Sequence, residues 1–221
     1  MKILRSAMQR ISPNLLYSLT NLFGWRTESQ DGAAHWAAKT DFDAYFNSVD
    51  GHVRSLDLSE QIDRLGNINS LLEVGTNSGR NLAVIKRCKP SIELKGIDVN
   101  ASAIAYARER SPEIVFEVAD ANHWQESPKR WDAILTMSVI DHIPDEAIPQ
   151  LAANMIRTAK KYLICYELWD GNDGRRGLFK YSRNLPKLFE PFGVKTRIWE
   201  LSAGQYNVAE SRLFLYIGEV T

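Results

Sequence analysis

Leu71-Leu72-Glu73-Val74-Gly75-Thr76-Asn77-Ser78-Gly79-Arg80-Asn81-Leu82 decides the fold of this chain. Its apolar start reads as a buried strand, its two glycines as a tight turn, and the residues from Arg80 onward as the opening of a helix. Such a turn aims backbone N–H groups and a helix N-terminus at one small volume, where a polar or anionic ligand can sit. The next two strand-like runs each end in an acid: Asp98 closes Leu94-Lys95-Gly96-Ile97-Asp98, and Asp120 closes Val115-Phe116-Glu117-Val118-Ala119-Asp120. A glycine loop with carboxylates at two successive strand ends suits a nucleoside. One acid can take the ribose hydroxyls and the other can lie beside the base.

Outward from this stretch, strands alternate with helices beyond about residue 66. Strands are predicted at 71–74, 92–97, 114–118, 131–137 and 162–167. Helices are predicted at 78–86, at 101–109 behind an Asn100 cap, and at 145–160, where Ile148, Leu151, Met155 and Ile156 recur at helical spacing. Crossovers of this length imply an α/β fold with a mostly parallel sheet covered by helices on both faces. A polar, glycine-rich loop comes next at 168–177, then a helix from Phe179 to Phe189 and a turn at Pro191-Phe192-Gly193. Two strands, 194–201 and 212–218, end the chain with no convincing helix between them, so an antiparallel hairpin closes one sheet edge.

Composition narrows the class. At 221 residues the chain can bury a full core, and its 27 basic side chains equal its 27 acidic ones. That balance gives no footprint for nucleic acid. Cys88 and Cys165 form neither a disulfide framework nor a metal motif, so both are expected to be reduced core thiols. No constellation has metal-ligand spacing, and no metal is expected. With no spanning run and no secretion signal, the expected location is cytoplasmic.

On these residues the chain resembles the class I S-adenosylmethionine-dependent methyltransferases over roughly residues 66–221. Glu73, Gly75 and Gly79 match the family's acid-and-glycine motif. Asp98 matches the ribose-binding acid, and Asp120 with Ala121 the adenine-side pair. Met137-Ser138-Val139-Ile140-Asp141-His142-Ile143-Pro144 resembles the segment after strand four, beside the transferred methyl. The terminal hairpin fits the family's Rossmann-like seven-stranded sheet. One position departs from the pattern: Asn77 stands where a third glycine is common, although asparagine tolerates positive φ. A nicotinamide dehydrogenase fits less well, because its G-x-G-x-x-G motif is not met and Asp120 has no role in it.

The resemblance implies S-adenosyl-L-methionine as cofactor, with Glu73, Gly75, Thr76, Asn77, Gly79, Asp98, Val99, Asp120, Ala121 and Ser138 as candidate contacts. His142 and Asp141 are the candidate catalytic residues. An oxygen or nitrogen acceptor must shed a proton, a task that suits histidine at neutral pH. Arg80 reads as a solvated helix residue outside the site, and Trp124 and Trp131 as packing residues.

Residues 1–65 read as a helical N-terminal extension, or lid, on a cofactor-binding domain at 66–221. In 1–25 the apolar residues Leu4, Met8, Ile11, Leu15, Leu19 and Leu22 recur three or four apart beside Lys2, Arg5 and Arg10, and two short helices are expected. This basic amphipathic piece can pack on its own domain, on a second copy as a homodimer, or against a membrane surface as a peripheral contact. Residues 33–55 read as lid helices carrying Trp36, Phe42, Tyr45 and Phe46, with Trp36 and Tyr45 as substrate contacts. The expected partner is a small-molecule acceptor, an oxygen of a sugar or related metabolite being favoured. Arg175 and Arg176 in the late loop are open to an anionic acceptor or to solvent alone. A catalytically silent binding or scaffold protein with the same fold is the alternative.

Overall fold

A computed structural model of the chain describes residues 32–169, 171–177, 180–201 and 212–220. The two short helices expected before residue 26 lie outside the described residues. Among the described residues three helices come first: α1 (Gly32–Ala37), α2 (Phe42–Phe46) and α3 (Val49–Leu65). Ser48 caps α3 by accepting from Gly51 N–H. The alternating core is built from β1 (Ser70–Val74), α4 (Arg80–Cys88), β2 (Glu93–Asp98), α5 (Ala101–Arg110), β3 (Val115–Val118), β4 (Trp131–Met137), α6 (Ile148–Thr158) and β5 (Ala159–Trp169). The chain ends in β6 (Gly174–Gly177), β7 (Lys180–Ser182), α7 (Leu185–Phe189), β8 (Lys195–Leu201) and β9 (Arg212–Glu219).

Seven strands form one sheet in the order β3-β2-β1-β4-β5-β9-β8. The first five run parallel, and β9 runs antiparallel to both β5 and β8, which is the terminal hairpin read from the sequence. The period-2 alternation of strand side chains divides the core between the two faces. Leu71, Leu135 and Ile164 pack with Leu58 and Ile62 of α3, Leu82 and Ile85 of α4, and Ile104 of α5. Their sequence neighbours Leu72, Ile134 and Leu163 face the opposite way onto Leu151 and Met155 of α6 and Phe189 of α7. Both faces are therefore covered, and β1 at the centre is buried along its whole length. Because Leu58 and Ile62 belong to this core, α3 is integral to the sheet's packing although it precedes β1 in sequence.

Tertiary pairing alters several elements. The expected helix start before Leu185 is instead strand β7, paired with β6 as Gly174↔Ser182 and Arg175↔Tyr181. The helix begins only where Asn184 accepts from Lys187 N–H and Pro186 occupies the first turn. The late polar loop is shorter than expected, because β9 pairs with β5 out to Trp169↔Arg212 and β6 takes its far end. The helix expected at 145–160 is the shorter α6, which stops at Thr158 because Ala159 already pairs with Trp131 in the sheet. Cys165 is a buried core thiol, whereas Cys88 is exposed on the solvent-facing last turn of α4. Trp124 and Trp131 are packed in the core. Among the described residues no helix is long and apolar enough to cross a membrane.

Candidate active site

The C-terminal ends of β1, β2, β3 and β4 open into one cavity of about 540 Å³, where the parallel half of a doubly wound sheet places its ligands. The glycine turn forms its floor. Gly75 N–H and Thr76 N–H both donate to Ile97 O (2.8 and 2.9 Å), so the loop is pinned to the end of β2. Gly75, Asn77 and Gly79 all adopt positive φ, at 74°, 49° and 78°. At Asn77 the left-handed turn is held by its own carboxamide oxygen, which accepts from Ser78 N–H at 2.6 Å. A β-carbon on Gly75 would overlap Val139 Cγ2, so close approach of this loop to the end of β4 requires glycine.

Asp98 joins two turns. Its Oδ2 accepts from Asn77 N–H at 2.8 Å and its Oδ1 from Asn100 N–H at 2.9 Å. Burial raises its pKa, and these backbone bonds oppose the rise. The carboxylate's lone pairs outnumber the backbone N–H groups it accepts from, so acceptor capacity remains for a ligand hydroxyl. Asp120 caps the turn after β3 through Asn122 N–H (2.8 Å) and contacts His123 Nδ1 (3.1 Å), while it also lines the cavity. Beyond β4, Ser138 adopts φ 53° and Val139 N–H donates to both oxygens of buried Glu167 (3.1 Å each). A single 3-10 turn, Ile140–His142, comes next. Arg183 clamps it, donating to Ile140 O, Ile143 O and Asp145 Oδ1.

The far wall comes from the first helices. Gly32, Ala33, Trp36 and Tyr45 line the cavity opposite the strand ends. The Trp36 ring lies 4.4 Å from that of His142, centroid to centroid. His142 Nε2 is 3.5 Å from Asp141 Oδ1, and Asp141 is only 3% exposed. Burial raises the Asp141 pKa, with His142, Lys180 and Arg183 opposing. Glu167 is raised by burial and by Asp141, so this buried acid pair favours holding a proton.

A family described as methyltransferase domain matches residues 71–162, the segment from β1 into β5 that builds the floor. A trans-aconitate 2-methyltransferase of Afipia carboxidovorans is 29% identical over 51% of this chain and 42% of its own length. The chain thus spans less than half the length of that relative. Among solved structures, geranyl diphosphate C-methyltransferase from Streptomyces coelicolor superposes with a TM-score of 0.65 at 11% identity, over 88% of this chain and 98% of that one. The cyclase SpnF superposes at 0.62 and 15% identity, over 76% and 81%. Over residues 71–162 the chain is similar to class I S-adenosylmethionine-dependent methyltransferases. At these identities the superpositions speak to the fold.

Against the motifs of those methyltransferases, the structure brings Gly75, Asn77, Asp98, Val99, Asp120, Ala121, Ser138, His142, Trp36 and Tyr45 to one cavity. Glu73, Thr76, Gly79 and Asp141 are not on it. Glu73 is sealed beneath the loop, accepting from Thr76 Oγ1 and Asn81 Nδ2 (2.6 Å each), and burial lifts its pKa to about 7. The glycine at 79 instead makes room for Phe116, whose ring would lie 2.7 Å from an added β-carbon.

Arg80 is the clearest correction. It is not solvated: it is 2% exposed, its guanidinium lies 4.1 Å from the Tyr45 ring centroid, and it donates to Tyr45 O at 2.7 Å. The first turn of α4 packs against α3 where Gly51 offers no side chain, so the guanidinium fills that space. Met137, Val139, Ile143 and Pro144, within the segment after strand four that the resemblance pointed to, also line the cavity, as do Asn100, Asn122 and His123 beyond the residues expected from the motifs. Of these last three, Asn100 reads in the sequence only as a cap, two residues beyond Asp98.

Proposed function

We propose that this protein transfers a methyl group from S-adenosylmethionine to a small-molecule acceptor. The observation that carries the reading is the convergence of four successive strand ends, with their glycine turn and two acids, on one lidded cavity. Its volume, about 540 Å³, suits a cofactor with a small acceptor rather than a polymer chain. The donor set fits the nucleoside: Asp98 has lone pairs to spare for a ribose diol, and Asp120, Ala121 and Asn122 offer an edge for adenine. Gly75, Asn77 and Ser138 take the amino-acid end.

When bound, the cofactor supplies an electrophilic methyl on sulfur. The chain's own part is to hold the acceptor in line and exclude water, which contributes most of the acceleration in such displacements. Trp36 and Tyr45 form the acceptor wall. His142 takes the proton that the acceptor releases, and Asp141 stabilises the resulting imidazolium from 3.5 Å. In our reading the N-terminal extension, residues 1–65, carries the lid in its helices α1 and α2, while its α3 packs into the core of the cofactor domain at 66–221. An oxygen of a sugar or related metabolite is the favoured acceptor, and trans-aconitate, named in the relatives' activity, belongs in the same screen.

Calorimetric titration with S-adenosylmethionine and S-adenosylhomocysteine, repeated on Asp98→Ala, tests the site. Binding that collapses in the variant supports it, and a folded protein with no heat for either ligand sinks it. A methyl-transfer screen against sugars and small organic acids then separates enzyme from silent binder. Binding without transfer to any acceptor would favour the scaffold reading.

A further inference from the structure

Helix α1, which carries Trp36, is six residues long with none buried, and so short a helix does not persist on its own. One amide joins it to the start of α5. Asn100 Nδ2 donates to Trp36 O at 2.9 Å and to Lys39 O at 3.0 Å, so both ends of the segment that presents Trp36 hang from the same nitrogen. The other side of that amide is equally engaged: Oδ1 accepts from Ser102 N–H and Ala103 N–H, both at 3.0 Å, at the start of α5. Asn100 N–H in turn donates to Asp98 Oδ1 at 2.9 Å. The residue is 3% exposed and all four side-chain bonds end on backbone atoms, so its geometry leaves no rotamer to choose.

We propose that Asn100 is a positioning residue that ties the acceptor wall at Trp36 to the turn carrying Asp98. It rests on the methyltransferase reading for the identity of the two half-sites, but not for the tie itself. An Asn N-cap is ordinary; a cap whose free amide end carries the opposite wall of the cavity is a second role for the same side chain. Order at residues 36–39 and order at Asp98 are then linked, and a ligand that stiffens the Asp98 turn also sets Trp36 against His142.

Two substitutions separate the roles. Asn100→Ser keeps a capping oxygen for α5 and is too short to reach the lid carbonyls. Asn100→Asp keeps the cap and turns an oxygen towards those carbonyls in place of the donor. Amide hydrogen exchange, followed in the full chain without ligand, is expected to speed up about tenfold at residues 36–39 in both variants, the loss of roughly one net hydrogen bond's worth of protection. Protection along α5 should stay as in the parent. With S-adenosylhomocysteine added, the parent should gain protection at 36–39, and Asn100→Ser should bind the ligand yet fail to gain it. Unchanged lid exchange in both variants would overturn the proposal, as would equal loss of protection in α5 and lid, which would reduce Asn100 to a cap. Absence of ligand binding by the parent would sink the proposed function, while the ligand-free comparison would still decide the tie.

Discussion

Asp98 is the residue on which most of the site turns, because its two oxygens hold Asn77 N–H and Asn100 N–H on either side. Asp98→Ala leaves both N–H groups without their acceptor and, on the proposed reading, removes the acceptor for the ribose hydroxyls. Loss of about 1–3 kcal/mol, or roughly 10- to 100-fold in S-adenosylhomocysteine affinity, is expected by calorimetry. Gly75→Ala faces two penalties, a positive φ of 74° and an overlap with the stiff Val139 side chain. It should destabilise the fold by about 1–3 kcal/mol, and adding Val139→Ala should recover part of that in a denaturant titration. Both residues were legible, since acid and glycine sit where the strand–turn–helix pattern puts them. Glu73 was legible as part of a motif but not as sealed: only the packed Thr76 and Asn81 side chains show it serving the loop from below.

Among the elements, the contact between α3 and α4 was hidden in the sequence. Arg80 Nη1 reaches Tyr45 O at 2.7 Å, Nε reaches Ser55 Oγ at 3.4 Å, and Ser55 Oγ donates onward to Asn81 Oδ1 at 2.6 Å. Asn81 completes the line to Glu73. A buried path of hydrogen bonds therefore joins the lid backbone to the underside of the glycine turn. An added methyl at Gly51 would overlap Arg80 Nη1, so Gly51→Ala should displace the guanidinium and destabilise the protein. Arg80→Ala makes room for that methyl. In a double-mutant cycle the pair should cost less than the sum of the single changes, by about 0.5–3 kcal/mol. Additive effects would show that Gly51 and Arg80 do not share this space. Periodicity could place α3 and α4 individually, but it carries no record of which faces meet.

For the whole molecule, burial of carboxylates sets the response to pH. Glu73, with an ordinary value of 4.5, is raised to about 7, and Glu167 and Asp141 are also raised. A carboxyl whose folded pKa is raised contributes stability that is fully present below its unfolded value and is lost as pH rises through the folded one. The folded chain should therefore lose stability between about pH 4.5 and 7 in proportion to the proton Glu73 keeps. Glu73→Gln should flatten that part of the slope, which thermal melts across the window would read at roughly 2–4 °C per kcal/mol for a chain of this size. A slope unchanged by the substitution would mean that Glu73 is ionised throughout.

Local chemistry decided a great deal here without any structure. Apolar runs with period 2, helix caps such as Asn100 and glycines at a strand–helix junction act over a few residues, so sheet class, the terminal hairpin and the glycine turn could all be read along the chain. The burial of Arg80, the clamp of Arg183 on the turn at 140–143, and the two faces of the Asn100 amide depend on partners 35, 43 and 64 residues away. A charged or amide side chain has the same propensity whether it faces water or a buried carbonyl. Only the packed molecule supplies the carbonyl, and so only tertiary structure decided which of these polar residues build the site.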